Sequence, residues 1–136
     1  MKVIDPCVLE AFGIVPREKF VAKHQRAVAY ADEDLSLGGG RWLIEPMVLA
    51  RMIQALDVRA DDHTMVVGCA TGYGTAIMAG LAVSVISVES RLSLVEKAQE
   101  LLVAIGADNA ADSSGHRFRI PTVWVAFFKG FKRCPY

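Results

Sequence analysis

The chain lacks a cysteine framework. Cys7, Cys69 and Cys134 are far apart, odd in number, and form no CxxC pair or Cys/His cluster. That excludes a disulfide scaffold and a zinc site, and it fits a reducing cytosol. His24, His63 and His116 lie in three separate segments, with no spacing suited to a metal. Net charge is lacking as well, since 15 basic and 15 acidic side chains cancel. Binding to nucleic acid or to an anionic membrane normally needs a large basic excess, so neither partner is expected. Aromatics are only 8% of the residues, yet 53% are apolar, too many for a disordered tail. Met1-Lys2-Val3-Ile4-Asp5-Pro6 contains no apolar signal-peptide core, so the expected location is cytoplasmic.

The neutral total conceals an asymmetry. Up to Asp112 there are 15 acids against ten bases, a net of −5; after it come five bases and no acid. Phe118, Trp124, Phe127, Phe128 and Phe131 also fall in this last stretch. The shift places a boundary near Asp112, dividing residues 1–112 from an atypical basic tail, 113–136. The 136 residues suffice for one ordinary core, but the 24 after Asp112 are too few for a second.

Residues 5 to 30 read as helix, loop, helix, with Asp5 as cap, Pro6 in the first turn, and Pro16 as breaker. Ala31 to Ile44 is acidic and then glycine-rich (Gly38-Gly39-Gly40), which predicts a mobile loop. Pro46 to Leu56 shows apolar steps of three and four, the pattern of a helix. Thr64 to Val67 predicts a short strand, and a helix running to Leu81 follows Gly68-Cys69-Ala70-Thr71-Gly72-Tyr73-Gly74. Val83 to Val88 predicts a second strand ended by Glu89, and Ser93 to Ile105 a helix closed by Gly106. This is a βαβ unit with its next helix, in an α/β fold. Thr64 to Val88 is 25 residues without a charge, long enough to span a bilayer. Four glycines interrupt it and no basic cluster flanks it, and strands of a parallel sheet are buried on both faces. The run is read as soluble.

The chemistry-bearing motif is the turn Gly68-Cys69-Ala70-Thr71-Gly72, where a strand gives way to a helix. Glycine there admits a ligand close to the backbone, and the helix start offers unpaired N–H groups. Glu89 ends the next strand, 17 residues after Gly72, and in an open parallel sheet such an acid can accept both hydroxyls of an adenosine ribose. The pair points to an adenosine-bearing cofactor, either a dinucleotide or S-adenosylmethionine. A dinucleotide wants GxGxxG, which Gly68-x-Ala70-x-x-Tyr73 fits poorly. The looser GxxxG suits S-adenosylmethionine, which has no phosphate to cradle. The plainer alternative makes these glycines a tight turn and Glu89 a solvated acid. Cys69 has no identifiable His partner and is read as a small lining side chain, not a nucleophile.

These residues sit in a wider match. The chain resembles the protein-L-isoaspartate O-methyltransferases from about Ile4 to Ala110. The resemblance rests on Val15-Pro16-Arg17-Glu18-Lys19-Phe20-Val21, Ala29-Tyr30-Ala31-Asp32 through Leu37-Gly38, Glu45-Pro46 leading into Val48-Leu49-Ala50-Arg51-Met52, the turn with Tyr73, and Gly106-Ala107-Asp108-Asn109. It implies a partial Rossmann-like S-adenosylmethionine-dependent methyltransferase sheet with an N-terminal helical extension. It also implies a protein or peptide substrate carrying isoaspartate, whose carboxyl is esterified to begin repair. Carried over by position, Gly68, Cys69, Ala70, Thr71 and Gly72 line the methionine end of the cofactor, and Glu89 holds the ribose. No catalytic side chain and no metal is assigned.

Departures accompany the match. The family usually has Thr-Ile-Ser-X-Pro, where this chain has Trp42-Leu43-Ile44-Glu45-Pro46, so two hydroxyl places become apolar. The family's acid within the first strand is Val66, and its middle turn glycine is Ala70. After Ala110 the match is expected to end, in place of a third strand, as in a truncated or frame-shifted copy. The first strand's far edge is then expected to be bare and open to self-association, with the run Ile120 to Phe128 as a short cover.

Overall fold

The computed structural model describes residues 2–114 and 126–129. Helix α1 is Pro6–Ile14. Asp5 Oδ1 caps it, accepting from the backbone N–H of Cys7 at 2.8 Å and of Val8 at 3.3 Å. Between Pro16 and Tyr30 the expected second helix is not an α-helix. Two 3₁₀ turns, Arg17–Phe20 and Lys23–Val28, carry the chain instead.

Residues 31 to 44 depart further from expectation. The predicted loop contains a β-hairpin in which β1, Leu35–Gly38, pairs antiparallel with β2, Arg41–Leu43. Gly38, Gly39 and Gly40 take φ of +82°, +57° and +76°, so the glycine run is the hairpin turn. Leu35 and Leu43, opposite one another, both face the core.

Helix α2 is Pro46–Leu56, and Asp57 ends it in a left-handed conformation. Its Gln54 holds the start of the chain, Oε1 accepting from the N–H groups of Ile4 at 2.7 Å and Asp5 at 2.9 Å. There follow β3 (His63–Val67), α3 (Tyr73–Leu81), β4 (Ser84–Glu89), α4 (Leu92–Ala104), β5 (Ala110–Ser114) and β6 (Ala126–Lys129). Gly106, with φ +75°, sits just past α4 as its composition predicts.

The four-stranded sheet runs β5-β4-β3-β6. Strands β3, β4 and β5 are parallel, while β6 is antiparallel to β3. Two expectations are corrected. A third parallel strand does follow Ala110, and the charge break at Asp112 lies inside it. The far edge of β3 is not bare, because backbone from Ala126 to Lys129 pairs along it from Val67 to Thr64. The remainder of the apolar run from Ile120, and the basic end from Gly130 with Cys134, lie outside the described residues.

Val66 and Val85 on the sheet join one apolar cluster with Phe20, Ile53, Tyr73, Ile77, Met78 and Leu102. The sheet is not buried on both faces, contrary to the reading of the uncharged run. Strand β4 alternates, with Val85, Ser87 and Glu89 buried and Ile86 50% exposed. Asn109 ties β5 to α3, its Nδ2 donating to the carbonyls of Ala79 at 2.9 Å and Ala82 at 3.0 Å. Among the described residues, no helix is long and apolar enough to cross a membrane.

Candidate functional site

The turn after β3 is built almost wholly from backbone bonds. Gly68 N–H donates to Val88 O at 2.8 Å, and Gly72 N–H to Cys69 O at 2.8 Å. Gly68, Ala70 and Gly72 all have positive φ, +75°, +51° and +91°. Ala70 carries a Cβ in that region, a strain that persists only where surroundings enforce it. What enforces it is Glu89, whose Oε2 accepts from Ala70 N–H at 2.9 Å. The turn and the acid therefore form one bonded unit at the carboxyl ends of adjacent parallel strands.

Glu89 is fully buried. Its Oε1 receives the N–H groups of Ser90 at 2.8 Å and Arg91 at 3.1 Å, and Arg41 Nη2 at 2.8 Å. Burial by itself would raise the carboxyl pKa. The Arg91 N–H, the Arg41 guanidinium and the Ala70 N–H outweigh it and hold Glu89 below the usual carboxylate range. Arg41 also donates to Ser90 Oγ at 2.8 Å. It comes from β2, 48 residues away, and no motif in the sequence marked it.

The remaining predicted residues have structural partners. Thr71 Oγ1 donates to Phe20 O at 2.8 Å, joining the turn to the helical extension. A Cβ on Gly72 would meet Ala98 Cβ at 3.1 Å, so this glycine permits α4 to approach. Cys69 is buried, and its thiol is pushed up to about 12 by burial first, then by the Asp112 and Glu89 charges. It is no nucleophile. Asp112 is itself pushed up to about 6 by burial, and its Oδ2 has no hydrogen-bond partner among the described residues.

Arg17 was quoted in the family match without a role, and the structure supplies one. It is fully buried, and its Nη2 donates to Ile44 O at 2.8 Å. Its Nε donates to Ala29 O, and its guanidinium carbon stands 5.0 Å from the centre of the Tyr73 ring. One side chain thus locks the extension, the segment after β2 and α3 together. No sequence signal marks this role, since Arg17 opens a charged run, Arg17-Glu18-Lys19, that reads as surface.

The residues suit an adenosine in kind, a glycine turn beside a strand-end acid, but the acid is engaged. Beside the turn, Trp42, Ile44, Leu49, Val66 and Ala70 enclose only about 20 Å³. A cavity of about 540 Å³ lies between the extension, the hairpin and α4, touching the turn only at Thr71. Its basic residues are Lys19, His24 and Lys97, and no carboxylate lines it.

Comparison with known proteins decides the kinship. The family model for protein-L-isoaspartate(D-aspartate) O-methyltransferase matches residues 2–118. The chain belongs to this family. The match extends past Ala110, where the sequence reading ended it, and takes in β5. A protein-L-isoaspartate O-methyltransferase 2 from Anaeromyxobacter sp. (strain Fw109-5) is 40% identical over 114 residues, 84% of this chain and 47% of the relative. The protein-L-isoaspartate O-methyltransferase of Protochlamydia amoebophila (strain UWE25) is 39% identical over 111 residues, 82% of this chain and 53% of its own. The chain thus spans about half the length of these curated relatives. Among solved structures, a protein-L-isoaspartate O-methyltransferase superposes with a TM-score of 0.74 at 23% identity, covering 82% of this chain and 38% of that one. A Plasmodium falciparum structure of the same name, in complex with S-adenosyl-L-homocysteine, gives 0.68 at 21% identity, covering 86% and 59%. Both show the fold: an α/β methyltransferase sheet.

Proposed function

We propose that the chain acts as an S-adenosylmethionine-dependent carboxyl methyltransferase, esterifying isoaspartyl residues of damaged proteins. The observation that carries this is the Glu89–Ala70 bond, which places a glycine turn and an acid together at the carboxyl ends of two parallel strands. Kinship with the family, and the S-adenosyl-L-homocysteine held by the Plasmodium falciparum structure, support the choice of cofactor over a dinucleotide. When bound, the cofactor supplies a methyl group on a sulfonium, already activated toward a nucleophile.

The protein's own tasks are then few. Glu89 would accept the ribose hydroxyls, and the backbone of residues 68–72 would border the methionine end. The isoaspartyl carboxylate is ionised at neutral pH and needs no general base. Positioning and exclusion of water supply the rest. The large cavity, lined by Lys19 and Lys97 and by no acid among the described residues, suits a substrate that presents a carboxylate. The absence of any cysteine pairing pattern suits a cytoplasmic setting.

A second reading has its own observation. Ile44 and Trp42 offer no side-chain hydroxyl to a substrate carboxylate, which favours a protein that binds the cofactor without turning over isoaspartyl peptides. Calorimetric titration with S-adenosylhomocysteine and with NAD, followed by a methyl-transfer assay on an isoaspartyl peptide, separates the cases. Tighter binding of NAD would overturn the cofactor assignment; binding without turnover would leave the second reading standing.

A further inference from the structure

The acid assigned to the ribose has an internal occupant. Glu89 is fully buried, and a buried carboxylate needs a cation or several donors to remain charged. Arg41 provides the cation at 2.8 Å, with side-chain exposures of 10% for Arg41 and none for Glu89. The strand that brings it is one arm of the β1–β2 hairpin, and the hairpin turn is fastened to the same place. Arg91, two residues past Glu89, donates from Nη1 to Gly38 O at 3.2 Å and from Nη2 to Gly39 O at 2.7 Å. Two arginines therefore clamp the hairpin over the tip of β4, one through the acid and one through the turn.

The space between Trp42, Ile44, Val66 and Ala70 beside the turn is about 20 Å³, room for about one water. The decisive constraint lies at the acid itself. Glu89 Oε1 already receives Arg41 and two backbone N–H groups, and Oε2 receives Ala70. A carboxylate has about four acceptor sites, too few for two ribose hydroxyls in addition. Something must leave. The backbone donors are fixed by the turn itself, whereas Arg41 lies on a separate hairpin.

We infer that Arg41 competes with the ribose for Glu89, and that an adenosine ligand enters only when the Arg41 side chain leaves the acid. This rests on the cofactor-binding reading above. The ligand's apparent affinity is then lowered by the fraction of time the latch is shut.

The test is titration of S-adenosylhomocysteine into the full chain and into Arg41→Gln and Arg91→Ala. Arg41→Gln should bind at least tenfold more tightly than the parent, and Arg91→Ala, which loosens only the turn, several-fold more tightly. Because a variant with Glu89 uncompensated could unfold, the parent protein is also observed directly by NMR of arginine side-chain N–H groups. Saturating S-adenosylhomocysteine should strip the Arg41 guanidinium of its protection from exchange. Equal or weaker binding by Arg41→Gln, or an Arg41 signal still protected in the complex, overturns the latch while leaving the cofactor reading intact. No binding to the parent or to either variant at millimolar ligand overturns both.

Discussion

Gly72 and Ala98 are in contact where the turn after β3 meets α4: a Cβ built on Gly72 would lie 3.1 Å from Ala98 Cβ and 3.5 Å from its Cα. The glycine also takes φ +91°, which L side chains avoid. Conformation and clearance thus demand the same residue. Gly72→Ala should lower unfolding stability by about 1–3 kcal/mol, the sum of a left-handed residue and a modest overpacking. Gly13 in α1 is the control, since a Cβ there meets nothing within 4 Å. Gly13→Ala should stabilise by about 0.5–1 kcal/mol through helix propensity. Urea melts of the two variants measure both, and shifts of the same sign would refute the assignment for Gly72.

Asp112 makes stability depend on pH in an unusual direction. Burial pushes its folded pKa up to about 6 from 3.8, so between those values the folded chain holds a proton that the unfolded chain has released. Its contribution is favourable at acid pH and is lost as pH rises through about 6. Asp112→Asn removes the charge and keeps the shape. It should raise the melting temperature at pH 7.5 and flatten the profile between pH 4 and 6. An unchanged profile counts against the buried, unsatisfied carboxylate.

Cys69 should be nearly inert. With the thiol pushed up to about 12 and the side chain buried, little thiolate exists at pH 8. In a Cys7→Ser, Cys134→Ser protein, labelling of the remaining thiol by a disulfide reagent should be at least about a hundredfold slower than in denaturant. Fast labelling of the native protein would mean that the turn opens often.

Ile44 tests substrate choice separately from cofactor binding. Its carbonyl is held by Arg17, so the backbone at this position is fixed whatever side chain it bears. Ile44→Ser restores one hydroxyl donor beside the turn. Turnover of an isoaspartyl peptide should rise while the affinity for S-adenosylhomocysteine stays within about twofold. If the parent already turns over this peptide as fast as a full-length relative, the hydroxyl is dispensable.

Much of the architecture was legible because it is local. Pro46 to Leu56 carries its own start signal and apolar stripe, and α2 occupies those residues. The order strand, turn, helix, strand, helix from Thr64 onward was equally plain, as was the left-handed Gly106. The hairpin was not, since its strands are four and three residues long and a run of glycines from Gly38 to Gly40 joins them. Strand β4 looked buried on both faces because Val-Ser-Val-Ile-Ser-Val has no charge, yet Ile86 faces outward. Within the site, the turn and Glu89 could be named from spacing alone. Arg41 could not, because an ion pair across 48 residues leaves no periodicity to detect.

The amide of Asn109 bolts β5 to α3. Its Nδ2 donates to the carbonyls of Ala79 at 2.9 Å, Ala82 at 3.0 Å and Val83 at 3.5 Å, at the end of α3 and just beyond it. Val85 N–H, which donates to Asn109 O at 2.9 Å, lies behind the same bolt. In hydrogen–deuterium exchange, the Val85 amide and the β5 amides should therefore open together as one unit. Removing the Asn109 side chain should release that unit while β3 remains protected.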